Sequence, residues 1–261
     1  MEIKTIVIKI GGSILGQNDT TAEDVVALQR RGYKIIVVHG GAKDINQWLD
    51  KFEIQSKFVK GIRSTGAAAL NIVTAVLCGL VNKNIVADIL RQGGKAVGLS
   101  GIDGLMIQAK ILTPELGYTG EELKVNTDLI MSLLNDDYIL VIAPVSLNID
   151  TDSKYQSKLL NVNGDTVAAE IAVALEANKL IFLTDVPGLC DKKGNIIKSI
   201  KSHAAIKMIE SDMISGGMAV KIKSCIDAVS RVPTTRIIDG RNSHALIREI
   251  EVSQEGTTIE A

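Results

Sequence analysis

Residues 5–13 read TIVIKIGGS, an apolar, β-branched run that carries one lysine, Lys9, just before the glycine pair Gly11 and Gly12. β-Branched residues favour a strand, and glycines favour a turn where the strand ends. Backbone amides in such a turn approach an anion closely, and the ammonium group of Lys9 would add a positive charge there. The stretch therefore predicts a strand followed by a phosphate-binding turn. A lysine at a strand end that simply reaches solvent is the alternative.

A second stretch has the same design. Residues 35–41 read IIVVHGG, an apolar run that ends in the glycine pair Gly40 and Gly41. Together the two stretches predict two phosphate-sized turns near each other. Gly11, Gly12, Gly40 and Gly41 are thus candidates for close backbone approach to phosphate oxygens or to a substrate, with a helix N-terminus adding favourable partial charge. Plain turn formation is the alternative for each glycine.

Strand-like and helix-like runs alternate along most of the chain, which predicts an α/β fold with an open, mainly parallel sheet sandwiched by helices. Strands are expected at 3–10, 34–38, 96–98, 139–143 and 180–184, with a loop or short hairpin within 52–65 and a β-hairpin within 106–125. Helices are expected at 21–31, 42–51, 67–93 with an interruption near 82–83, 128–135, 166–177, 202–209 and 218–229. The absence of repeats and linkers favours one continuous domain with two halves.

Composition excludes several classes of partner. The net charge is −1 and aromatic residues make up only 3%, so the 261-residue chain lacks the basic and aromatic surface that nucleic-acid binders use. The three cysteines are far apart in sequence, which indicates reduced thiols rather than a disulfide framework or a metal site. The longest apolar stretches, such as 139–147, are too short to span a membrane, and the N-terminus enters a strand directly. A cytoplasmic protein is expected.

The common nucleotide-binding signatures are missing, but a different ordered set is present. There is no GxGxxG after the first strand, no Lys-Ser/Thr of a P-loop, and no HRD or DFG. The chain instead resembles the amino acid kinase family over essentially its whole length, because eight motifs of that family occur in the family's order. They are KIGGS (9–13), HGG (39–41), GIR (61–63), GLSGIDG (98–104), NVNGD (161–165), LTDVPG (183–188), GGMAVK (216–221) and DGR (239–241).

This resemblance implies phosphoryl transfer from ATP to a carboxylate, and it implies catalytic roles for three residues. Lys9 and Lys221 match the family lysines that contact the transferring phosphoryl group, and Asp165 matches the acidic residue that orients both. Phosphoryl transfer requires alignment of donor and acceptor and cations that stabilise the moving charge, which two lysines and backbone amides supply. Taken singly, Lys221 could be an exposed helix lysine and Asp165 a helix N-cap.

The remaining site residues also follow from the resemblance. Arg63 and Asn161 match positions that bind the acceptor's carboxylate, for which a planar guanidinium is well suited. Gly41 and Ala42 are expected beside the acceptor, and Gly217 in a phosphate turn. Positions expected on the nucleotide side are Asp185, Gly188 and Met218. His39 is interpreted as structural, because an ionised carboxylate acceptor needs no general base.

Within the family the chain is most similar to members that phosphorylate N-acetyl-L-glutamate, and two alternatives remain open. Ala42 stands where a third glycine is usual, and residues 64–67 and Gly164 also depart from the common pattern. Related kinases that act on carrier-protein-linked aminoadipate or glutamate tolerate such changes. A non-catalytic amino-acid or nitrogen sensor is the other alternative, although retention of Lys9 and Lys221 argues against it.

The resemblance also implies cofactors, partners and separate parts of the chain for binding the acceptor and the nucleotide. ATP is the expected phosphoryl donor, with Mg²⁺ bridging its β- and γ-phosphates and few direct protein ligands. Residues 1–175 are expected to bind the acceptor and to mediate oligomerisation, and residues 176–261 to bind the nucleotide. Because the chain starts at its first strand, a homodimer without arginine feedback is expected, with no nucleic-acid or membrane partner.

Overall fold

A computed structural model describes residues 4–12, 20–150, 157–251 and 255–261, so Ser13 of the first motif lies outside the described residues. The strands are β1 (Thr5–Ile10), β2 (Lys34–His39), β3 (Lys57–Val59), β4 (Ile62–Ser64), β5 (Ala96–Ser100), β6 (Ile107–Ile111), β7 (Thr119–Val125), β8 (Ile139–Ala143), β9 (Val145–Asn148), β10 (Leu159–Val162), β11 (Lys179–Thr184), β12 (Ser199–Lys201), β13 (Thr235–Asp239) and β14 (Thr257–Glu260). The α-helices are α1 (Thr21–Arg30), α2 (Ala42–Lys51), α3 (Ala67–Thr74), α4 (Asn82–Arg91), α5 (Asp128–Asn135), α6 (Gly164–Ala174), α7 (Ser202–Glu210), α8 (Gly216–Val229) and α9 (Ala245–Glu251).

The main sheet has eight strands in the order β12-β14-β13-β11-β1-β2-β8-β5. All its neighbouring strands are parallel except β13 and β14, which run antiparallel. Strand β1 lies near the middle, between β11 and β2, which explains why its sequence is almost continuously apolar. The predicted open, mainly parallel sheet is confirmed.

Helices cover both faces of this sheet and bury a separate hydrophobic cluster on each. Val7 of β1 belongs to one cluster with residues of α6 and α8, whereas Ile6 and Ile8 belong to the other with residues of α1, α3 and α4. This alternation follows from the period of two along a strand. The sheet is therefore sandwiched by helices, as expected.

A smaller four-stranded β-structure adjoins the sheet beside the carboxyl ends of β1 and β2. Strands β6 and β7 pair antiparallel, which confirms the predicted hairpin within 106–125, and β9 and β10 complete a closed arrangement with them. Strands β3 and β4 form the short hairpin expected within 52–65. Strands β9 and β10 were not predicted.

The interruption expected near 82–83 takes another form. Residues Ala67–Arg91 form one continuous helix in which Ala75–Val81 adopt π-helical hydrogen bonding before α4 begins at Asn82. Among the described residues this is the one helix that is long and apolar enough to cross a membrane by length and composition. That criterion is weak for a single helix, and Val73, Val81 and Ile89 belong to the core cluster on one face of the sheet.

Candidate active site

Two lysines and one aspartate meet at the carboxyl end of β1. Lys9 Nζ lies 2.8 Å from Asp165 Oδ1, and Lys221 Nζ lies 3.1 Å from both oxygens of the same carboxylate. Asp165 is 5% exposed and Lys221 is 8% exposed. The structure thus brings together the three residues predicted to be catalytic, although the chain places them 56 or more residues apart.

Local structure explains how Asp165 becomes available to both lysines. Asn163, not Asp165, is the N-cap of α6, because its Oδ1 accepts hydrogen bonds from the amides of Asp165 and Thr166 at 2.7 and 3.4 Å. Helix α6 consequently begins at Gly164, two residues earlier than predicted. The Asp165 carboxylate, in the first turn, is free to bind Lys9 from β1 and Lys221 from α8.

The charges in this cluster do not cancel. Burial opposes ionisation of Asp165, but attraction by Lys9 and Lys221 outweighs it and lowers the pKa of the carboxyl below its usual range. Burial also lowers the pKa of Lys221, and the facing Asp165 carboxylate opposes this shift. The ring of Phe182 lies 5.1 Å from Lys221 Nζ and adds a second favourable contact for the cation. Two ammonium groups and one carboxylate leave a net positive charge, which suits an anionic group.

The two glycine turns pack directly against each other next to this cluster. A Cβ atom on Gly12 would lie 3.2 Å from the amide nitrogen of Gly41 and 3.1 Å from that of Ala42, the first residue of α2. A Cβ on Gly40 would lie 3.9 Å from Lys9 Nζ. The turns therefore form a cradle that a side chain on Gly12 would obstruct, and the first amide nitrogens of α2 lie beside it.

The four glycines differ in their hydrogen bonding. The amide of Gly11 donates to the carbonyl of Leu183 at 3.1 Å, and that of Gly40 donates to the carbonyl of Ile10 at 2.9 Å. These two amides already donate hydrogen bonds to backbone carbonyls and are not available to a ligand. Among the described residues, the amides of Gly12 and Gly41 have no backbone acceptor, so these two are the candidates for donating to a bound group.

Arg63 occupies a cavity of about 180 Å³ that Lys9, Ala42 and Asn161 also line. Its guanidinium is buried, donating from Nη2 to Asn46 Oδ1 at 2.7 Å and from Nη1 to Ser56 Oγ. The guanidinium carbon lies 4.5 Å from the centre of the Phe58 ring.

The surroundings of Arg63 leave its charge uncompensated. Within the described ranges of the chain, this guanidinium contacts neutral groups, and burial lowers its pKa. A buried cation without a counter-ion is costly unless a ligand supplies the negative charge. The cavity is therefore lined by a buried guanidinium at Arg63 and by the ammonium group of Lys9, two cations that suit an anionic ligand.

Asn161 lies on β10 and completes the same cavity. Its Nδ2 donates to Thr65 Oγ1 at 3.0 Å, and Thr119 Oγ1 donates to the carbonyl of Arg63 at 2.8 Å. These buried threonines link the Arg63 hairpin to the small β-structure and hold the cavity wall in place. Neither threonine was selected from the sequence, because a threonine in a strand carries no distinctive pattern.

The positions predicted for the nucleotide lie outside this cavity. Asp185 is exposed just beyond β11, Met218 packs against the core from the first turn of α8, and Gly188 lies next to Thr257. Gly217 lies at the start of α8. The structure does not bring these four residues into one cluster with Arg63.

One contact joins the hairpin that carries Arg63 to the start of α8. Gly61, in the turn between β3 and β4, has φ of +84°, and a Cβ there would lie 2.6 Å from the carbonyl carbon of Gly216 and 2.9 Å from the amide of Gly217. Only glycine fits this combination of left-handed backbone and close approach. The hairpin that carries Arg63 therefore rests on the glycine turn that begins α8 and leads to Lys221.

Besides the two threonines, three residues that shape the site were missed in the sequence. Asn46 and Phe58 orient Arg63, and Asn82 contacts His39 behind the second glycine turn. Asn82 begins the polar run 82–84, which was interpreted only as a helix interruption. Nothing in the local sequence pattern distinguished Asn46 or Phe58 from ordinary surface residues.

Comparisons with known proteins agree with this geometry. Residues 4–239 match the model of the amino acid kinase family. The chain is 43% identical over 254 residues to the acetylglutamate kinase of Dehalococcoides mccartyi, covering 97% of this chain and 93% of that protein. It is 44% identical over 255 residues to the acetylglutamate kinase of Clostridioides difficile, with 95% and 87% covered. A crystal structure of smu.665 from Streptococcus mutans UA159 superimposes with a TM-score of 0.84 at 28% identity, with 98% of each chain covered.

Proposed function

The chain belongs to the amino acid kinase family, and we propose that it transfers the γ-phosphoryl group of ATP to the side-chain carboxylate of N-acetyl-L-glutamate. The products are N-acetylglutamyl 5-phosphate and ADP, a step of arginine biosynthesis. Support comes from acetylglutamate kinases that share 40–44% identity with nearly the whole chain.

The observation that carries the proposal is the pairing of two anion sites in one cavity. Arg63 offers a buried guanidinium with neutral partners, and Lys9 enters the same cavity from the Lys9–Asp165–Lys221 cluster. An acceptor with two carboxylates fits this arrangement, because Arg63 binds the α-carboxylate while the side-chain carboxylate reaches the cation cluster. Apolar lining residues, including Phe58, suit the methyl group of an acetyl substituent.

The reaction follows from these positions. The acceptor carboxylate is ionised at neutral pH, so one of its oxygens attacks the γ-phosphorus without removal of a proton. Lys9 and Lys221 stabilise the charge on the transferred group, and Asp165 keeps both ammonium groups in place. Amides of Gly12 and Gly41 donate to its oxygens. Asn161 and the backbone at Ala42 position the acceptor.

We propose that Mg²⁺ binds mainly through the phosphates of the nucleotide, with few direct protein ligands. The described part of the chain contains no group of three or more acidic, histidine or cysteine side chains that could hold a metal ion. Asp165 already faces two ammonium groups, which makes it a poor cation ligand. Mg²⁺ commonly binds through substrate phosphates and water, which suits this site and would neutralise charge on the β- and γ-phosphates.

We propose that residues 176–261 form the nucleotide half and residues 1–175 the acceptor half. Gly217 at the start of α8 would donate its amide to a phosphate, and Asp185 and Gly188, in the loop after β11, would contact the nucleotide together with Met218 of α8. The contact of Gly61 with Gly216 joins the halves at the site of transfer.

We further propose a cytoplasmic homodimer. An apolar groove of about 370 Å³ lies between α2 and the Ala67–Arg91 helix, and its lining includes Trp48, Phe52 and Leu80, which are 38%, 59% and 40% exposed. A half-buried apolar helix beside exposed aromatic rings is typical of a surface that a second copy covers. The three cysteines are all free thiols, as the reducing cytoplasm favours.

The dimer is tested by its mass in solution. We expect light scattering to give twice the 27.9 kDa of one chain, and the double substitution Trp48→Glu with Leu80→Glu to give the single-chain mass, because it places charges in the groove. Leu90→Glu is the matched control, since Leu90 is 51% exposed on the same helix but does not line the groove. A monomeric wild-type protein would contradict the proposal.

The function itself is tested by ADP release from Mg·ATP in the presence of different acceptors. We expect turnover with N-acetyl-L-glutamate and at least about 100-fold lower kcat/KM with L-glutamate, whose ammonium group would face Arg63 and apolar residues. Turnover only with carrier-linked aminoadipate or glutamate would assign the chain to the carrier-dependent reaction. Absence of turnover with every acceptor would favour a sensor.

A further inference from the structure

Behind the second glycine turn lies a buried polar pair that the proposed reaction does not use. His39 ends β2 and Asn82 begins α4, and both side chains are 0% exposed. The ring Nε2 of His39 lies 3.2 Å from Asn82 Nδ2, and its Nδ1 lies 2.9 Å from the carbonyl oxygen of Gly40.

The partners of Asn82 fix the direction of these hydrogen bonds. Asn82 Nδ2 also lies 2.9 Å from the carbonyl oxygen of Val141 and 3.2 Å from that of Leu99, and carbonyl oxygens only accept. Asn82 Oδ1 receives a hydrogen bond from Lys83 Nζ at 3.0 Å. An amide nitrogen cannot accept a hydrogen bond, so Asn82 Nδ2 is the donor toward His39 and Nε2 of the ring is the acceptor. The two hydrogens on this nitrogen are shared among the ring and the two carbonyl oxygens.

It follows that the His39 ring is neutral with its hydrogen on Nδ1, which donates to the Gly40 carbonyl. Burial lowers the pKa of His39 to about 4, the hydrogen bond to Gly40 opposes that shift, and the charges of Lys9 and Lys83 add to it. The ring thus keeps one protonation state and one orientation throughout the neutral pH range.

Fixing the Gly40 carbonyl also fixes the next amide. In a trans peptide the carbonyl oxygen and the following N–H point in opposite directions, so the N–H of Gly41 points away from His39. The Gly41 nitrogen is the atom that a Cβ on Gly12 would approach to 3.2 Å, in the cradle beside Lys9.

We propose that His39, held by Asn82, is a positioning residue that orients the Gly40–Gly41 peptide so that the Gly41 amide donates to the transferred phosphoryl group. This inference rests on the proposed phosphoryl transfer and adds a residue to it. His39 touches no substrate in this account and acts through the backbone.

Two substitutions separate the two hydrogen bonds of the ring. In His39→Asn, an amide N–H takes the place of Nδ1, so the hydrogen bond donated to the Gly40 carbonyl is kept. In His39→Gln, an amide oxygen takes the place of Nε2, so only the hydrogen bond accepted from Asn82 is kept. We expect kcat to fall about 10- to 100-fold in His39→Gln and to stay within about threefold of wild type in His39→Asn. KM for the acceptor should change little in either variant.

Stability and kcat distinguish positioning from a merely structural role. Both variants leave a void and should lose similar stability in urea unfolding, so a purely structural histidine would give equal activities for the two folded proteins. Equal kcat values in the two variants, or wild-type kcat in His39→Gln, would overturn the proposal. The comparison uses whichever acceptor the wild-type protein phosphorylates, so failure with N-acetylglutamate would count against the proposed function alone.

A spectroscopic measurement on the wild-type protein requires neither variant to fold. The chain has three histidines, so long-range ¹H–¹⁵N spectra with labelled histidine resolve each ring. We expect His39 to be neutral with hydrogen on Nδ1 from pH 8 down to about pH 5. Hydrogen on Nε2, or titration of His39 near its ordinary pKa of about 6.5, would overturn the proposal.

Discussion

Replacing Lys221 or Lys9 by methionine is expected to lower kcat by about 10²- to 10³-fold, which is the usual loss when one preorganised charge-stabilising donor is removed. Either substitution leaves Asp165 paired with the other lysine, so the protein should still fold. Steady-state ADP release gives kcat, and urea unfolding verifies the folded state. A Lys221→Met enzyme with kcat within about threefold of wild type would remove Lys221 from the mechanism.

The same helix supplies the control for this experiment. Lys223 lies two residues beyond Lys221 but is exposed, and Lys223→Met removes the same charge from α8 without touching the cluster. Its kcat should match that of the wild-type enzyme. Asp165→Asn is a less clean variant, because it would leave two ammonium groups without a carboxylate and cost about 3–5 kcal/mol of stability.

Replacing Arg63 by leucine is expected to raise KM for N-acetyl-L-glutamate about 30- to 700-fold, with a much smaller effect on kcat. Truncating one partner of a buried charge pair costs about 2–4 kcal/mol, which converts to that range of KM. Arg63→Lys retains the charge but loses the planar pair of donors, so an intermediate increase of about tenfold is expected. KM for ATP should remain near the wild-type value in both variants.

The matched control is Lys57→Leu on the facing strand of the same hairpin. Lys57 is exposed and pairs in register with Ser64, so its removal changes the charge near the cavity without changing its wall. A KM increase as large as that of Arg63→Leu would mean that general electrostatic attraction, not a specific contact, binds the acceptor. An unchanged KM in Arg63→Leu would exclude Arg63 from acceptor binding.

Local patterns predicted much of the fold correctly. Helices α2 and α5 and strand β8 have the bounds that the sequence predicted. The helices combine an apolar period with a glycine or polar boundary, and β8 is a continuous apolar run bounded by polar residues and Pro144. The motif order also predicted that Lys9, Asp165 and Lys221 share a site. Both kinds of prediction depend on residues that are close in sequence or on motifs that can be recognised one by one.

Other features depend on contacts between distant segments. Strand β10, which carries Asn161, is short and pairs with β7 and β9, so its environment is decided by partners elsewhere in the chain. The bond between Asn82 and His39 links residues 43 positions apart. Nothing local distinguishes a buried asparagine that joins strand ends from one that ends a helix. The environment of Asn161 and the contact of Asn82 with His39 behind the second glycine turn could therefore be identified only from the structure.

The most direct test of the account is chemical identification of the product. Hydroxylamine converts an acyl phosphate to a hydroxamate, so mass spectrometry of a reaction containing the enzyme, Mg·ATP, N-acetyl-L-glutamate and hydroxylamine reveals where the phosphoryl group went. We expect N-acetylglutamyl hydroxamate in amounts equal to the ADP released, and at least about 100-fold less with Lys221→Met at the same time point. ADP release without hydroxamate, or no ADP release with this acceptor, would contradict phosphorylation of the N-acetylglutamate carboxylate.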